Sequence, residues 1–276
     1  MTNRYSMTLE DNIFWAKRNV VDSIWKEANI EGIGVTFPET KEIFEGRVVA
    51  GLSVDETIAI NNLKHAWHFV FENITAPVDL AFVRQVNYLV GQGIIADPGN
   101  LRNFDVSIGG TSWKPELPDY DKATNMIRTL YASKESGELK ALRMFASLCR
   151  AQLFSDGNKR TAQIICNKIM IENGAGIMAI PVEAKQKFEE LLIGYYETND
   201  PDAMLAFLST TSISGYDSPS LLSSEQGRSR HLVEDAPICS VEKSYSPQAA
   251  LDAARSITAT LPGNNGRARG IGVTRK

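Results

Sequence analysis

Residues 152–162 read Gln-Leu-Phe-Ser-Asp-Gly-Asn-Lys-Arg-Thr-Ala and lie between two stretches in which apolar residues recur at helical spacing. They place Gly157 and Asn158 at the start of a helix that we predict over 157–173, with Gly174 after its end. The first turn of a helix has backbone N–H groups without partners and a partial positive charge, which together suit phosphate oxygens. Gly157 also lacks the Cβ that would block a close approach. The stretch therefore predicts a phosphate-binding loop.

The charged residues of this stretch favour the same interpretation. Lys159 and Arg160 lie at the positive end of the predicted helix, where cations are disfavoured unless an anion is bound. Asp156 supplies a hard oxygen ligand one residue before the turn, which suits Mg²⁺ that bridges phosphates. The alternative is an ordinary Asp-Gly-Asn turn followed by two solvated cations.

Helical patterns dominate the chain on both sides of this loop. Thr8 with Asp11 and Ser53 with Glu56 are typical of capped helix starts, and Asp79 precedes a helix that reaches Gly91. Residues 38–46 could form a short helical turn. Further helices are predicted over 119–135, 138–153, 157–173, 182–198 and 200–209.

One segment breaks the helical pattern. Phe104, Val106 and Ile108 alternate with polar residues, and two glycines follow at once. This pattern predicts a strand that enters a tight hairpin, which Pro115 ends. The predicted fold class is therefore mainly α, with one small β-hairpin.

The composition changes near residue 210, which divides the chain into two predicted regions. Residues 1–210 form a helical domain, and 211–276 form a serine-rich, poorly structured tail with too few apolar groups to offset the entropy of ordering. Residues 267–276 contain four basic and no acidic side chains. This basic end is interpreted either as a secretion or partner-docking signal or as a solvated extension.

The composition limits the cellular locations and the classes of partner that we expect for the protein. The net charge of −4 over 276 residues gives no sign of a nucleic-acid partner, and no apolar run is long enough for a membrane helix or a secretory signal. Three widely spaced cysteines (Cys149, Cys166 and Cys239) form no metal or disulfide pattern. These features predict a cytoplasmic protein without a membrane partner, in which Cys149 and Cys166 are buried core thiols.

Residues 154–160 resemble the core of the Fic signature, which reads His-x-Phe-x-Asp/Glu-Gly-Asn-Gly/Lys-Arg-x-x-Arg. The likeness extends upstream, where 98–102 and 104–115 are similar to the loop and the target-docking hairpin, or "flap", of that family. The helical pattern from about 8 to 209 also agrees with the family in order and length. The resemblance implies a Fic-type helical bundle, with the signature loop at 152–163.

What the resemblance implies for function can be stated residue by residue. Family members typically transfer AMP from ATP to a hydroxyl group of a target protein, some relatives transfer other nucleotides or phosphorylated groups, and the Doc toxins phosphorylate. The expected ligands are thus ATP and Mg²⁺, and the expected partner is a protein docked at the flap. The implied roles are Mg²⁺ binding by Asp156, phosphate binding by Gly157, Asn158, Lys159 and Arg160, loop anchoring by Phe154, and target docking by Ile108, Gly109, Gly110 and Thr111.

Two positions depart from the family pattern. Gln152 stands where the family has the histidine that takes the proton of the attacking hydroxyl, and Gln163 stands where it has a second arginine. A glutamine amide cannot accept a proton near neutral pH, and loss of a positioned base costs about 10²- to 10⁴-fold in rate. His65, His68 and His231 are the only histidines that could substitute, and each is expected to be structural or solvated.

The resemblance also raises autoinhibition, because many family members carry a helix ending in Glu-Gly or Glu-Asn whose glutamate pairs with the second arginine. Glu45-Gly46 resembles that end, but Lys41 stands where the family helix has Ser or Thr, and Gln163 stands where the paired arginine would be. We therefore expect ordinary packing for this segment.

Three hypotheses for the function follow. The protein is a divergent Fic transferase, a pseudoenzyme that binds nucleotide or protein, or an interaction protein with a vestigial pocket. Export from the cell by a route that needs no signal peptide is an alternative to the cytoplasmic location. A homo-oligomer is compatible with all three.

Overall fold

A computed structural model describes residues 2–218, which form a helical bundle. Helix α1 (Leu9–Ile30) begins at Thr8, whose hydroxyl accepts a hydrogen bond from the backbone N–H of Asp11 at 3.1 Å. Helix α2 (Phe37–Phe44) begins at a capping box formed by Thr36 and Glu39. The predicted short turn over 38–46 is thus a helix of two turns, whose capping box satisfies two of the backbone N–H groups at its start.

The next helices also begin at the caps expected from the sequence. Helix α3 (Val54–Glu72) starts at the Ser53–Glu56 capping box, and α4 (Leu80–Gly91) starts at Asp79. The remaining helices are α5 (Tyr120–Tyr131), α6 (Gly137–Ala151), α7 (Asn158–Glu172), α8 (Lys185–Thr198) and α9 (Asp202–Thr211), with a 3₁₀ turn at Val182–Ala184 before α8. The mainly α fold is confirmed.

Helix α7 is the centre of the bundle. It contacts α1, α3, α4 and α6, and its residues from Arg160 to Ile171 are all buried. Because neighbours surround it, the start of α7 has a fixed position relative to four other helices.

The β-structure does not lie where the alternation predicted it. The described part of the chain has a strand β1 (Ile177–Met178) that pairs antiparallel with β2 (Ile213–Ser214), whereas 104–115 form no strand. The turn at Gly109 and Gly110 is present. The return arm instead packs on α8: the Thr111 hydroxyl donates to Glu197 Oε1 at 2.9 Å, and Trp113 stacks on Tyr196 with ring centroids 5.3 Å apart. We keep the name flap for residues 104–115.

The packed part of the chain continues past residue 210, where the sequence placed the domain boundary. The backbone N–H of Ser218 donates to Ser6 O at 2.9 Å, and its hydroxyl accepts from the N–H of Thr8 at 3.1 Å. Ile213 is buried against the bundle. The predictions for the basic end, Cys239 and His231 lie outside the described residues.

Two composition-based predictions can be compared with the structure. Cys149 and Cys166 are buried free thiols, as expected, and burial raises the pKa of each. Within residues 2–218, every helix is too short or too polar to span a bilayer.

Candidate functional site

The loop between α6 and α7 is shaped by two left-handed residues. Gln152 ends α6 with φ +43°, and Gly157 starts α7 with φ +74°. The positive φ of Gly157 favours glycine, and a Cβ there would make tight contacts of 3.2 Å with both Asn87 Nδ2 and Val90 Cγ1. Among residues 2–218, no side chain caps the start of α7. An uncapped helix start leaves backbone N–H groups without side-chain partners, which is the condition for the predicted phosphate-binding loop.

Phe154 and Asn158 fix the path of the loop. Phe154 is buried, and its backbone N–H and C=O bond to Asn158 Oδ1 at 3.0 Å and Nδ2 at 2.8 Å. The Asn158 amide also donates to Gln152 Oε1 at 3.1 Å. The Asn158 side chain thus braces the loop from within, so that its backbone N–H is the group left for a phosphate.

Gln152 is held by hydrogen bonds at both ends of its amide. Nε2 donates to Cys149 O at 2.8 Å and lies 3.4 Å from the Tyr196 hydroxyl, while Oε1 accepts from Asn158. Burial raises the pKa of Tyr196, so this hydroxyl stays protonated. The structure therefore shows no proton acceptor at Gln152.

Asn87 is a loop-positioning residue that the sequence analysis missed. It is fully buried on α4, and its Nδ2 donates to Asp156 O at 3.0 Å and Thr161 Oγ1 at 3.1 Å. Its Oδ1 accepts from the N–H of Gly99 at 2.8 Å. The sequence feature that could have identified Asn87 is its place among the apolar residues of a helix, because a buried polar side chain needs hydrogen-bond partners.

A carboxylate already neutralises the cations of the loop. Glu31, at the end of α1, lies 3.4 Å from Lys159 Nζ through Oε1 and 3.8 Å from Arg160 Nε through Oε2. Arg160 also donates to Asp156 Oδ2 at 3.2 Å. Glu31 is thus the carboxylate beside the two cations to which the sequence assigned phosphate binding.

The glutamate that lies beside the cations of the loop belongs to the dipeptide Glu31-Gly32. The sequence-based comparison with the inhibitory helix had considered only Glu45-Gly46. Glu45 lies on the surface beside Arg47 at 2.6 Å and Lys41 at 3.9 Å, so the ordinary packing expected for it is confirmed. The two dipeptides have the same sequence, but the fold places different cations beside their glutamates.

A second glutamate lies one turn before Glu31. Glu27 is 2% exposed, and neither carboxylate oxygen has a hydrogen-bond partner among the described residues. Burial, and secondarily the charge of Glu31, raises the pKa of Glu27 well above its ordinary value, against the opposing effect of Arg160. Glu27 is thus favoured in its neutral form.

This burial makes stability depend on pH. The unfolded chain ionises Glu27 near its ordinary pKa, while the folded chain does so only at higher pH, so stability falls as pH rises between the two. We expect Glu27→Gln to remove this loss and to raise the melting temperature more at pH 8 than at pH 4. Thermal melts at both values test it, with the exposed Glu10→Gln as control, and an equal shift at both values would contradict it.

The loop, the flap and α8 enclose a cavity of about 460 Å³. Of the predicted site residues, Gln152, Asp156, Asn158 and Lys159 line it together with Ile108 and Gly109. Gly110 lies against Ile193, and Thr111 is bonded to Glu197, so both face α8. Three further lining residues, Val106, Ser107 and Ser155, belong to the predicted flap and signature loop, whereas the sequence missed Glu31, Glu189, Leu192, Ile193 and Tyr196.

The donor set fits Mg²⁺ only when phosphates are also present. The Asp156 side chain is 67% exposed, and its Oδ1 accepts from the N–H of Gly157 at 2.6 Å. In residues 2–218, no group of three or more His, Cys, Asp or Glu side chains could hold a metal. Asp156 would thus supply one ligand of an ion whose other ligands are phosphate and water oxygens.

The described histidines do not replace the missing base. Both lie on α3 and neither lines the cavity. His68 stacks on Phe44 with ring centroids 6.4 Å apart, and burial, with nearby Lys64, lowers its pKa. Of the two roles expected for His68, structural or solvated, the stacking on Phe44 indicates the structural one.

Known proteins share both the sequence and the fold of this region. The sequence model of the Fic/DOC family matches residues 77–170. A protein named "Protein adenylyltransferase Fic" in Drosophila melanogaster is 24% identical over 178 residues, which cover 61% of this chain and 36% of that protein. Its namesake in Aedes aegypti is 23% identical over 186 residues, covering 64% and 37%. The chain thus spans well under half of these relatives.

Solved structures agree with the fold. Fic-1 from C. elegans superposes with a TM-score of 0.64 at 19% identity, covering 71% of this chain and 62% of that one. A Fic domain containing signaling protein from Bacteroides thetaiotaomicron gives a TM-score of 0.61 at 15% identity, covering 74% and 86%. At such identities the likeness shows the fold alone. Residues 77–170 thus match the Fic/DOC family, and the described part of the chain has the fold of Fic-domain proteins.

Proposed function

We propose that this chain binds ATP with Mg²⁺ in the cavity between the loop, the flap and α8, and transfers AMP slowly to a hydroxyl group of a protein docked at the flap. The observation that supports this most is the start of α7, where Asp156 and Lys159 line the cavity and the buried Arg160 donates a hydrogen bond to Asp156. The names of the curated relatives supply the adenylyl group as the transferred unit.

The residues of this chain would divide the work as follows. The N–H groups of the first turn of α7, with Lys159 and Arg160, would bind the phosphates and stabilise charge that develops during transfer. Asp156 would hold Mg²⁺, which supplies charge neutralisation on the phosphates when it is bound. The flap would position the target hydroxyl over the α-phosphate.

The reaction itself needs one bond made and one broken. The target oxygen would bond to the α-phosphorus, the bond from that phosphorus to the β-bridging oxygen would break, and pyrophosphate would leave. The proton of the hydroxyl would pass to solvent, because Gln152 has no site to accept it. Slow transfer is therefore expected. The second candidate function is ATP binding without transfer, and the hydrogen-bonded amide of Gln152 supports it as well.

Binding is tested first by calorimetry with ATP and Mg²⁺. We expect saturable binding that Arg160→Ala weakens by about 10- to 100-fold, because a hydrogen-bonded charge pair is worth about 1.5–3 kcal/mol. Arg47→Ala, a surface arginine, serves as the control. Absence of binding to the native chain at millimolar ATP would refute the nucleotide site, provided that melting curves show a folded protein.

Transfer is tested with ATP labelled separately on the α- and the γ-phosphate. We expect label from the α-phosphate to become covalently attached to protein, and we expect Arg160→Ala to suppress this incorporation. Label from the γ-phosphate alone would assign phosphorylation instead, and no label beside normal ATP binding would support the binding-only candidate.

A further inference from the structure

Arg102 lies at the junction of the signature loop and the flap, and neither the reaction nor the phosphate site described above uses it. The residue is 4% exposed. Its backbone N–H donates to Leu153 O at 3.0 Å, which already ties it to the loop before α7. The feature to explain is a buried guanidinium in a segment without regular secondary structure.

The guanidinium group reaches three separate pieces of chain. Nε donates to Gln152 O at 2.7 Å, and Nη1 donates to Phe104 O at 2.7 Å. Nη2 donates to Glu116 O at 2.5 Å and lies 3.5 Å from Pro115 O. These acceptors belong to the signature loop, to the first residue of the flap, and to the last flap residue, Pro115, with Glu116 directly after it.

All of these acceptors are backbone carbonyl oxygens. The contacts therefore constrain the path of the main chain and do not depend on the side chains of the accepting residues. A planar guanidinium presents its donors in a fixed fork, which can hold several acceptors at set angles. The flap forms no strand ladder that would hold its two ends together. Arg102 supplies that connection instead.

We propose that Arg102 is a positioning residue that holds both ends of the flap against the carbonyl of Gln152 and thereby keeps the flap over the cavity. The flap and the signature loop then move as one unit. An occupant that orders the loop at residues 156–160 would order the flap as well, before a target protein arrives. This coupling concerns the same site as the proposed function, but the connection itself exists without any ligand.

Hydrogen exchange of the ligand-free protein tests the connection. Arg102→Lys keeps the charge but cannot donate in three fixed directions, so we expect amides in 104–116 and 152–155 to exchange about tenfold faster or more, with α1 and α3 unchanged. Arg84→Lys is the matched control: it loses bonds to Gly99 O and Asn100 Oδ1 in the neighbouring loop but touches neither the flap nor the signature loop.

Two results would overturn the proposal. Exchange in the flap that matches the Arg84→Lys control would show that Arg102 does not hold it. Uniform loss of protection that includes α1 and α3 would assign Arg102 to the stability of the whole fold. If Arg102→Lys does not accumulate as folded protein, Arg102→Gln, which keeps two amide donors, is compared in the same way.

A second readout separates positioning from simple packing. In the native chain, ATP with Mg²⁺ should slow exchange in 104–116, whereas Arg102→Lys should bind ATP within about threefold of the native affinity without that slowing. Slowing that persists in Arg102→Lys would contradict the coupling. If the native chain binds no ATP, the proposed function fails, while the ligand-free comparison still decides the role of Arg102.

Discussion

Replacing Glu31 with glutamine is expected to tighten ATP binding by about 10- to 100-fold, the range that corresponds to losing one competing charge pair of about 1.5–3 kcal/mol. In the native chain, the Glu31 carboxylate lies 3.4 Å from Lys159 Nζ and 3.8 Å from Arg160 Nε. These are the two cations that phosphates would need. Because Glu31 is 17% exposed in its side chain, it contacts these cations with little screening by water. Calorimetry on folded proteins measures the change.

The chain contains its own matched control for this prediction. Glu45, like Glu31, is followed by glycine, but it pairs with Lys41 and Arg47 on the surface. Glu45→Gln should leave the affinity for ATP unchanged. Native or weaker affinity in Glu31→Gln would mean that the carboxylate does not compete with phosphate.

Replacing Gln152 with histidine should increase the rate of AMP transfer by about 10²- to 10⁴-fold, the usual contribution of a positioned general base. The left-handed conformation of Gln152, with φ +43° and ψ +54°, is one that histidine adopts more readily than most residues. The partners that now hold the amide, Cys149 O and the Tyr196 hydroxyl, remain available to an imidazole ring. The rate is measured as α-phosphate label incorporated into the protein itself and into lysate proteins.

Two variants make this result interpretable. Adding Arg160→Ala to Gln152→His should abolish the gain, because the phosphate contact is then lost. Gln152→Asn changes the side chain without adding a base and should transfer no faster than the native chain. A Gln152→His protein that binds ATP normally and transfers no label would show that the histidine is not the sole missing element, which would direct attention to Gln163.

The parts of the fold that the sequence predicted best are those set by local interactions. The starts at Thr8, Ser53 and Asp79 depend on side chains that bond to backbone groups three residues away, and the structure has all three. The phosphate-binding loop belongs to the same class, because Gly157 and the following helix are adjacent in sequence. Such features are readable without knowledge of the rest of the fold.

The features that the sequence did not predict depend on distant partners. Asn87 bonds to a residue 69 positions away, and Arg102 bonds to one 50 positions away. Glu31 could not be distinguished from Glu45 because only the packing of α1 against α7 brings one of them to the cations. The strand predicted over the flap failed for a similar reason: alternation describes one arm, whereas pairing requires a second arm that here packs on α8.

The contact between Ser6 and Ser218 makes the domain suitable for engineering. The backbones of these two residues are joined by a hydrogen bond of 2.9 Å, and the neighbouring Met7 N–H donates to Gly174 O just beyond the end of α7. The cavity lies at the other end of α7, and a helix of 15 residues is about 22 Å long. In a chain shortened to residues 6–218, a short linker could therefore join the two ends and give a circular permutant with new termini in an exposed loop. The linker could also carry a fluorescent reporter without obstructing the cavity.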